Sequence, residues 1–342
     1  MNRNPPPGDV VSLRKARHDF LAHKQETQKA STARAYKYPT KDFTIFCEDH
    51  GVTVTGDVSQ KHISTWIDQR RQEVKPVTVH NNAKHLRVFL KWMGQREYTE
   101  WRLHERMEMP PIPEGGDVNK QVLRAGHAES VLDYLDTYKY ASTYHALFYT
   151  MWHTGCRVSG AIALDLGDFE PSPHDDNIIR FRNRRSEGTP LKNGNKSERD
   201  VTVTDGLARV LRDYISVHRL QKTDEYDREP LFTVPAGRLY RQRAYKNIVA
   251  VTRPCVTSGE CPHGRDLESC EATAKEKAPS CPSSVSTHPV RKGSITNHIN
   301  QGWPKEPLSE RVDVSVDVLE KHYDMRTNER KRRNRRQYLQ ND

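Results

Sequence analysis

The sequence has few hydrophobic residues and no long hydrophobic run. Hydrophobic side chains make up 34% of its 342 residues, and no stretch comes near the roughly 18 uninterrupted apolar residues of a membrane-spanning helix. The opening MNRNPPPGDV lacks the apolar centre of a secretion signal, and no segment recurs at a fixed period. These absences argue against a membrane-spanning or secreted protein, and we expect a cytoplasmic protein with no membrane partner.

The length and the charge of the chain favour two domains and a polyanionic partner. A chain of 342 residues is long for one compact core and suits two domains. Its formal net charge of +10 favours association with a polyanion, because neutralised phosphates release counterions. Many basic proteins bind no nucleic acid, so the charge indicates this partner without deciding it.

The first third of the chain predicts a small helical domain over residues 11–106, after a disordered start at residues 1–10. Apolar positions repeat at helical spacing in SLRKARHDFLAHKQ, STARAYKYPTKDFTIFCEDHG, SQKHISTWIDQRRQE and TVHNNAKHLRVFLKWMGQR. In the last segment Leu86, Phe89, Leu90 and Met93 form one apolar stripe. The predicted exposed faces carry basic residues that either contact phosphate or are only solvated charge: Lys37, Lys41, Lys61, Arg70, Arg71, Lys84 and Arg87.

Proline and glycine concentrate in MEMPPIPEGGDVNK, which predicts a linker over residues 107–118. A second domain follows at residues 119–342. Helical spacing returns upstream of residue 166 and in LARVLRDYISVHRL, while NIIRFRNRRSEGTPLKNGNKSERDVTVT alternates like a β-hairpin with a polar, basic tip. The predicted fold class is therefore mainly α with a small β-hairpin or sheet, in two domains.

Six cysteines are placed unevenly along the chain. Cys47 and Cys156 stand alone and are interpreted as small core residues. The other four fall within a short insert at residues 253–284: Cys255, Cys261, Cys270 and Cys281. Thiols stay reduced in the cytosol, and four of them on loops rich in Pro, Gly and Ser predict a structural zinc ion, with His263 as a spare ligand. The spacings match no standard zinc finger, so free packed thiols are the alternative.

Five residues could carry chemistry, but each also has an ordinary interpretation. Arg157 follows HTGC at a predicted helix start, Lys192 lies on the hairpin tip, and His288 and Arg291 are three apart in STHPVRKGSIT. Tyr323 lies in the last amphipathic run, ahead of a basic tail. Taken singly, the ordinary interpretation is favoured for each: Arg157 is a salt-bridge partner, Lys192 a solvated turn residue, His288 a residue at a helix start and Tyr323 a packed ring. No single one identifies a site.

Together and in this order, the residues resemble the catalytic set of the tyrosine recombinases, or phage integrases, which runs Arg, Lys, His-x-x-Arg, His or Trp, then Tyr. The resemblance covers the whole chain. Residues 11–106 are similar to the family's helical core-binding (SAM-like) domain and residues 119–342 to its catalytic domain. HTGCRVSG, GTPLKNGNKSERDV, the cysteine insert, HPVRKGSIT and LEKHYDMRTNERKRR most resemble the integrases of halophilic archaea and their mobile elements.

The resemblance implies a site-specific DNA recombinase that cleaves and rejoins duplex DNA through a 3′-phosphotyrosyl intermediate during integration of a mobile element. It also implies a C-shaped clamp around the duplex and a homo-tetramer on paired sites. The tail from Asn328 to Asp342 would then pack on a neighbouring protomer, or remain a disordered basic segment that holds phosphates. Zinc would brace the loop that delivers the His-x-x-Arg pair.

By the same resemblance the catalytic residues are Arg157, Lys192, His288, Arg291 and Tyr323. The two guanidiniums present forked donors to the non-bridging phosphate oxygens, where charge gathers in the transition state. His288 adds a hydrogen bond or shuttles a proton, and Tyr323 is the nucleophile. Lys192 is the general acid for the sugar hydroxyl, with Lys196 as the alternative because the hairpin tip is longer than usual. Neither ATP nor a catalytic metal is expected.

The chain departs from the family pattern at three positions. Many relatives carry a histidine in LGHS nine residues before the tyrosine, whereas this chain reads VDVS with Val314 at that place. Either His322 substitutes, or the site works more slowly. Gly160 stands where relatives often have an acidic residue, and Lys292 replaces a common histidine. Two alternatives stay open: a relaxing phosphotyrosine topoisomerase, and a zinc-braced DNA-binding protein that has lost catalysis.

Overall fold

The computed structural model describes residues 10–28, 30–116 and 121–324, together with residues 329, 332, 333 and 336. The chain divides into two compact units, Met1–Asn119 and Lys120–Asp342. The predicted disordered start apart from residue 10, the end of the predicted linker and most of the basic tail lie outside the described residues. None of the helices in the described part of the chain is long and apolar enough to cross a membrane.

The first unit is helical, as the apolar periodicity predicts. Its helices are α1 (Leu13–Thr27), α2 (Ala30–Asp49), α3 (Gln60–Glu73) and α4 (Pro76–Gly94). The Ser12 side chain caps α1 by accepting from the Lys15 N–H, and Pro76 begins α4 where no backbone donor is needed. The predicted stripe on α4 is fully buried against Phe20 of α1 and Trp66 of α3. Burial of these stripes holds the unit together.

The prediction that Arg70 lies on an exposed basic face is wrong. Its residue is only 4% exposed, and its guanidinium pairs with Asp42 of α2 and Glu73 of α3. Burial of a charge requires such partners, so Arg70 stabilises the packing of two helices. The other six predicted basic residues are exposed: Lys37, Lys41, Lys61, Arg71, Lys84 and Arg87.

The second unit combines helices with a small antiparallel sheet. Its helices are α5 (Ala125–Tyr138), α6 (Thr143–Thr154), α7 (Val158–Ala163), α8 (Asp205–Asp213), α9 (Arg241–Val251), α10 (Pro254–Ser258), α11 (Thr287–Asn300), α12 (Lys305–Val312) and α13 (Val316–His322). Its strands are β1 (Phe169–Glu170), β2 (Asn177–Phe181), β3 (Arg199–Val203), β4 (Thr233–Val234) and β5 (Gly237–Arg238). The predicted hairpin is confirmed: β2 and β3 pair antiparallel, with Ile179 opposite Val201, and residues 182–198 connect them.

Two glycines let the elements of the second unit approach closely. Gly155 ends α6 in the left-handed conformation, with φ of 61°, and a Cβ there would lie 2.9 Å from Cγ1 of Val312. On α11, a Cβ at Gly293 would lie 2.0 Å from the carbonyl oxygen of Leu123. The end of α6 therefore meets the end of α12, and α11 lies against the chain that leads into α5.

The second unit has a large core centred on α6 and a smaller apolar cluster at its C-terminal side. The smaller cluster joins α11, α12 and α13, and its members are Ile295, Ile299, Leu308, Val312, Val314, Leu319 and Tyr323. Cys156 is fully buried in the large core and Cys47 in the core of the first unit, which confirms both as core residues. Burial raises the pKa of Cys47 to about 12.

Candidate active site

Arg157 lies where α6 ends and α7 begins. It is the N-cap of α7, two residues after the left-handed turn at Gly155. Its Nη1 donates to Oδ2 of Asp313, at the end of α12. The Arg157 side chain is 31% exposed, so the side chain remains accessible from solvent.

Arg291 is buried in α11, with only 2% of the residue exposed. Its Nη1 donates to the Gly155 carbonyl at 2.8 Å and its Nη2 to the Val312 carbonyl at 2.7 Å. These carbonyls belong to the last turns of α6 and α12, which have no partner within their helices and carry negative partial charge. Burial lowers the pKa of Arg291, followed by the charge of Arg157, while Tyr323 acts in the opposite direction. The two guanidiniums and the tyrosine are therefore neighbours.

Tyr323 immediately follows α13 and is its C-cap residue. Its N–H donates to the Leu319 carbonyl at 3.0 Å, and its carbonyl accepts from Oγ1 of Thr296 on α11 at 2.9 Å. The residue is 6% exposed, with its ring in the smaller apolar cluster. Tyr323 acts to raise the pKa of Arg291, which places its hydroxyl near that guanidinium. Tyr323 is thus both a packed ring and a hydroxyl beside a buried cation.

His288 lies in the first turn of α11 and is exposed as a residue. Desolvation of the ring lowers its pKa, and the charges of Arg291, Lys292, Arg157 and His322 lower it further. The imidazole is therefore neutral near pH 7 and has a nitrogen free to accept a proton.

His322, the candidate substitute for the missing family histidine, ends α13 and is half-buried. Its charge lowers the pKa of His288, after those of Arg291, Lys292 and Arg157, so the two imidazoles lie in the same region of the unit. Val314 is buried among the apolar residues that surround the ring of Tyr323. An apolar side chain therefore occupies the position of that histidine, while another imidazole lies within the site.

The two candidate lysines lie in the connection between β2 and β3, and both are exposed. Lys192 belongs to a turn and Lys196 to a short 3-10 helix. Their loop is bonded to the site at two points: Nδ2 of Asn193 donates to Oδ1 of Asp313 at 3.1 Å, and Oγ of Ser197 donates to Oδ2 at 2.8 Å. These bonds hold the loop of both lysines against Asp313, and they do not favour either lysine as the general acid.

Asp313 is the site residue that the sequence interpretation missed. It links Arg157 to the connection of residues 182–198, which carries Lys192 and Lys196 and is called the lysine loop below. Its backbone is left-handed, with φ of 53° and ψ of 61°. A signal for it exists in the sequence, since VDVS places an aspartate where LGHS has a glycine. A glycine at such a turn indicates a left-handed backbone, and aspartate is one of the few other residues that tolerate it.

The four clustered cysteines are free thiols. Desolvation raises the pKa of Cys255, Arg253 lowers it, and the thiols of Cys281 and Cys261 raise it, so these two thiols lie in the neighbourhood of Cys255. His263 is bonded to Ser283 through Nε2 at 2.9 Å. Within the part of the chain that the structure describes, no three or more His, Cys, Asp or Glu side chains are arranged to hold a metal ion. These positions leave the zinc ion untested, and the zinc site stays a prediction.

No protein-family model and no curated protein matches the chain. Among solved structures, it is similar to the Tn1549 transposon integrase in complex with a circular intermediate DNA, at 13% identity over 96% of this chain and 99% of that chain, with a TM-score of 0.67. It is also similar to the lambda integrase dimer bound to a COC′ core site, at 9% identity over 94% and 80% of the two chains, TM-score 0.65. A third similar structure is the XerH site-specific recombinase bound to a palindromic difH substrate, at 12% identity over 99% and 92%, TM-score 0.61. Identities this low show the fold alone, and the chain has the fold of these integrases and recombinases.

Proposed function

We propose that this chain, which has the fold of the tyrosine recombinases, is an enzyme that cleaves and rejoins DNA strands through a phosphotyrosyl intermediate. The observation that carries the proposal is the convergence of three elements of the second unit: Arg157 begins α7, His288 and Arg291 lie on α11, and Tyr323 follows α13. Two cations beside a phenol and a neutral imidazole match the requirements of phosphoryl transfer to tyrosine.

The proposed step forms one bond at phosphorus and breaks another. The Tyr323 Oη–P bond forms as the bond from phosphorus to the 5′ oxygen of the next nucleotide breaks, which leaves a 3′-phosphotyrosine. His288 accepts the phenolic proton, and Lys192 or Lys196 donates a proton to the departing 5′ oxygen. Arg157 and Arg291 stabilise the charge on the non-bridging oxygens. The phosphotyrosyl bond conserves the energy of the phosphodiester, so the reverse step rejoins the strand without ATP.

Duplex DNA is the proposed partner. The solved complexes of the Tn1549 integrase, lambda integrase and XerH contain DNA, and we extend that partner to this chain. The net charge of +10 and the six exposed basic residues of the first unit are consistent with phosphate contacts. A homo-tetramer on paired attachment sites, a role in integrating a mobile element, and kinship with the zinc-insert integrases of halophilic archaea are finer proposals that rest on the sequence motifs.

The experiment that tests the proposal is covalent trapping on a nicked suicide duplex built from the ends of the element that encodes the chain. Wild-type protein is expected to give a slow-migrating band on a denaturing gel. Tyr323→Phe keeps the ring in its apolar cluster but removes the oxygen that attacks phosphorus, so the band should vanish. Tyr138→Phe, at an exposed tyrosine, is the matched control and should trap normally. An adduct from Tyr323→Phe as strong as the wild type's would refute the assignment.

One observation favours a second candidate function. Val314 is buried and apolar at the place of the missing histidine, which suits a DNA-binding protein that has lost catalysis. Binding of the same duplex without any adduct from the wild type would favour that function. His322→Ala separates the two further, because a substituting imidazole should slow the adduct without abolishing it.

A further inference from the structure

The carboxylate of Asp313 joins three parts of the site. Its side chain is only 11% exposed and accepts from Arg157 at the start of α7, from Asn193 and from Ser197. The last two lie in the loop that carries Lys192 and Lys196. Asp313 itself ends α12 and is one residue before Val314, in the turn that leads through α13 to Tyr323.

The backbone around Asp313 is held independently of its side chain. Nη2 of Arg291 bonds the Val312 carbonyl at 2.7 Å, and Nε of Arg199 bonds the Arg311 carbonyl at 2.7 Å. Arg199 also donates to the Ser197 carbonyl at 2.9 Å. The end of α12 and the end of the lysine loop therefore stay together when the Asp313 carboxylate is removed. Residues 190–196 keep their bonds to Asn183 within the loop but lose the bond from Asn193 to the end of α12.

The local sequence offers Arg157 no alternative carboxylate within its own helix. α7 reads VSGAIA and has no acidic residue, so the partner of Arg157 comes from α12 across the site. A carboxylate that bonds one side of a guanidinium fixes the direction in which the other side points. Donors must be held in such a fixed geometry where charge develops on a phosphate. The left-handed backbone at Asp313 is strained, and such strain is common at functional positions.

We propose that Asp313 is a positioning residue: it aims Arg157 and the lysine loop at the phosphate that Tyr323 attacks, and so couples the proton donor to the nucleophile. This inference rests on the proposed function. Its action is on the chemical step, since Asp313 orients groups that are already present and adds no contact of its own to DNA. If the Asp313 carboxylate instead occupied the position of the phosphate, its removal would make cleavage faster.

The first experiment compares Asp313→Gly and Asp313→Asn with the wild type on the suicide duplex. Glycine suits φ of 53° and removes the carboxylate, whereas asparagine keeps an acceptor oxygen without the charge. We expect cleavage at saturating protein to slow by about 100-fold for Asp313→Gly, less for Asp313→Asn, with the duplex Kd unchanged in both. Asp317→Asn, which removes an exposed charge in the first turn of α13, is the control and should cleave normally.

The second experiment separates the lysine loop from Arg157. Ser197→Ala leaves the bond between Arg157 and Asp313 in place and weakens only the loop end of the network, because it removes the bond from Ser197 to Asp313 and the bond that Ser197 accepts from the Asn193 N–H. A duplex with sulfur at the 5′ bridging position has a leaving group that needs no proton. We expect Ser197→Ala to be slow on the ordinary duplex and close to wild type on the sulfur duplex, with Asp313→Gly restored only in part because Arg157 is still misaligned. A loss in Ser197→Ala that the sulfur duplex leaves unchanged would overturn the link to the proton donor.

The outcomes also separate this inference from the proposed function. A wild type that forms no adduct refutes the proposed function. A wild type that traps DNA while Asp313→Gly cleaves as fast or faster refutes the positioning role and leaves the proposed function intact. Hydrogen exchange of the protein alone gives a reading without any activity: Asp313→Gly should exchange faster than wild type at residues 190–196, and unchanged protection there would overturn the inference.

Discussion

Replacing Arg291 with alanine should affect the fold as well as the chemistry. Its guanidinium is buried and donates to the carbonyls of Gly155 and Val312, so truncation leaves both carbonyls without that donor. Arg157 is different: it is one-third exposed, and its partner Asp313 keeps Asn193 and Ser197 after truncation. The two arginines of the candidate site should therefore have very different effects on stability.

The size of the difference follows from these contacts. A hydrogen bond to a charged group contributes about 1.5–3 kcal/mol, so two such bonds give about 3–6 kcal/mol for Arg291. Desolvation opposes the charge, as the lowered pKa of Arg291 shows, and we expect a loss in the lower part of that range, about 3–4 kcal/mol. A partly exposed pair such as that of Arg157 contributes about 0–1 kcal/mol. At about 2–4 °C per kcal/mol for a unit of this size, the unfolding midpoint should fall by about 6–16 °C for Arg291→Ala and by less than about 4 °C for Arg157→Ala.

Thermal unfolding followed by circular dichroism measures both midpoints, and the covalent trapping assay is run on the same preparations. Arg157→Ala should stay folded at the assay temperature and still lose cleavage by about 100- to 1,000-fold, the usual effect of removing one donor to a developing charge. Equal midpoints for the two variants would refute the structural role given to Arg291. Wild-type cleavage by Arg157→Ala would remove that residue from the chemistry.

Three further outcomes are expected. Gly155→Ala should lower the free energy of unfolding by about 1–3 kcal/mol in a denaturant titration, because its backbone is left-handed and its Cβ would lie 2.9 Å from Val312; an unchanged midpoint would contradict this. Burial and a neighbouring arginine lower the pKa of His153 to about 3 in the folded chain, so the unfolded chain binds more protons between pH 6.5 and about 3; stability should fall as pH falls through that window, and His153→Gln should flatten the profile. Protein purified without chelator should contain one zinc ion per chain, which Cys261→Ser and Cys270→Ser should release with a loss of thermal stability; a metal-free preparation that is folded and active would disprove the zinc site.

Local patterns in the sequence determined the elements of the fold. The stripe of Leu86, Phe89, Leu90 and Met93 repeats at the helical period and is fully buried on α4. The alternation around Ile179 and Val201 places these residues opposite each other in the β2–β3 hairpin. A period of 3.6 or 2 residues is a property of neighbouring positions, so both the kind of element and its buried face are visible before any tertiary contact is known.

Contacts between residues of distant elements could not be predicted from these local patterns. Arg70 has the spacing of an exposed helix residue, yet it is buried and pairs with Asp42 from another helix and with Glu73. The four cysteines of the insert suggest a metal site by their number, but the distances between their sulfurs depend on loops whose course no periodic pattern predicts. Burial of a charge and assembly of a ligand set depend on which elements pack together.

The candidate site shows most clearly which features the sequence determines and which depend on the tertiary structure. The sequence by itself determined the residue types and their order, from Arg157 through His288 and Arg291 to Tyr323, because the motifs around them are local. Only the tertiary structure decided that Asp313 pairs with Arg157 and holds the loop of Lys192. The physical reason is that these contacts join the ends of α6, α12 and the β2–β3 connection, and the packing that brings those ends together is set by close approaches such as that of Gly155 to Val312.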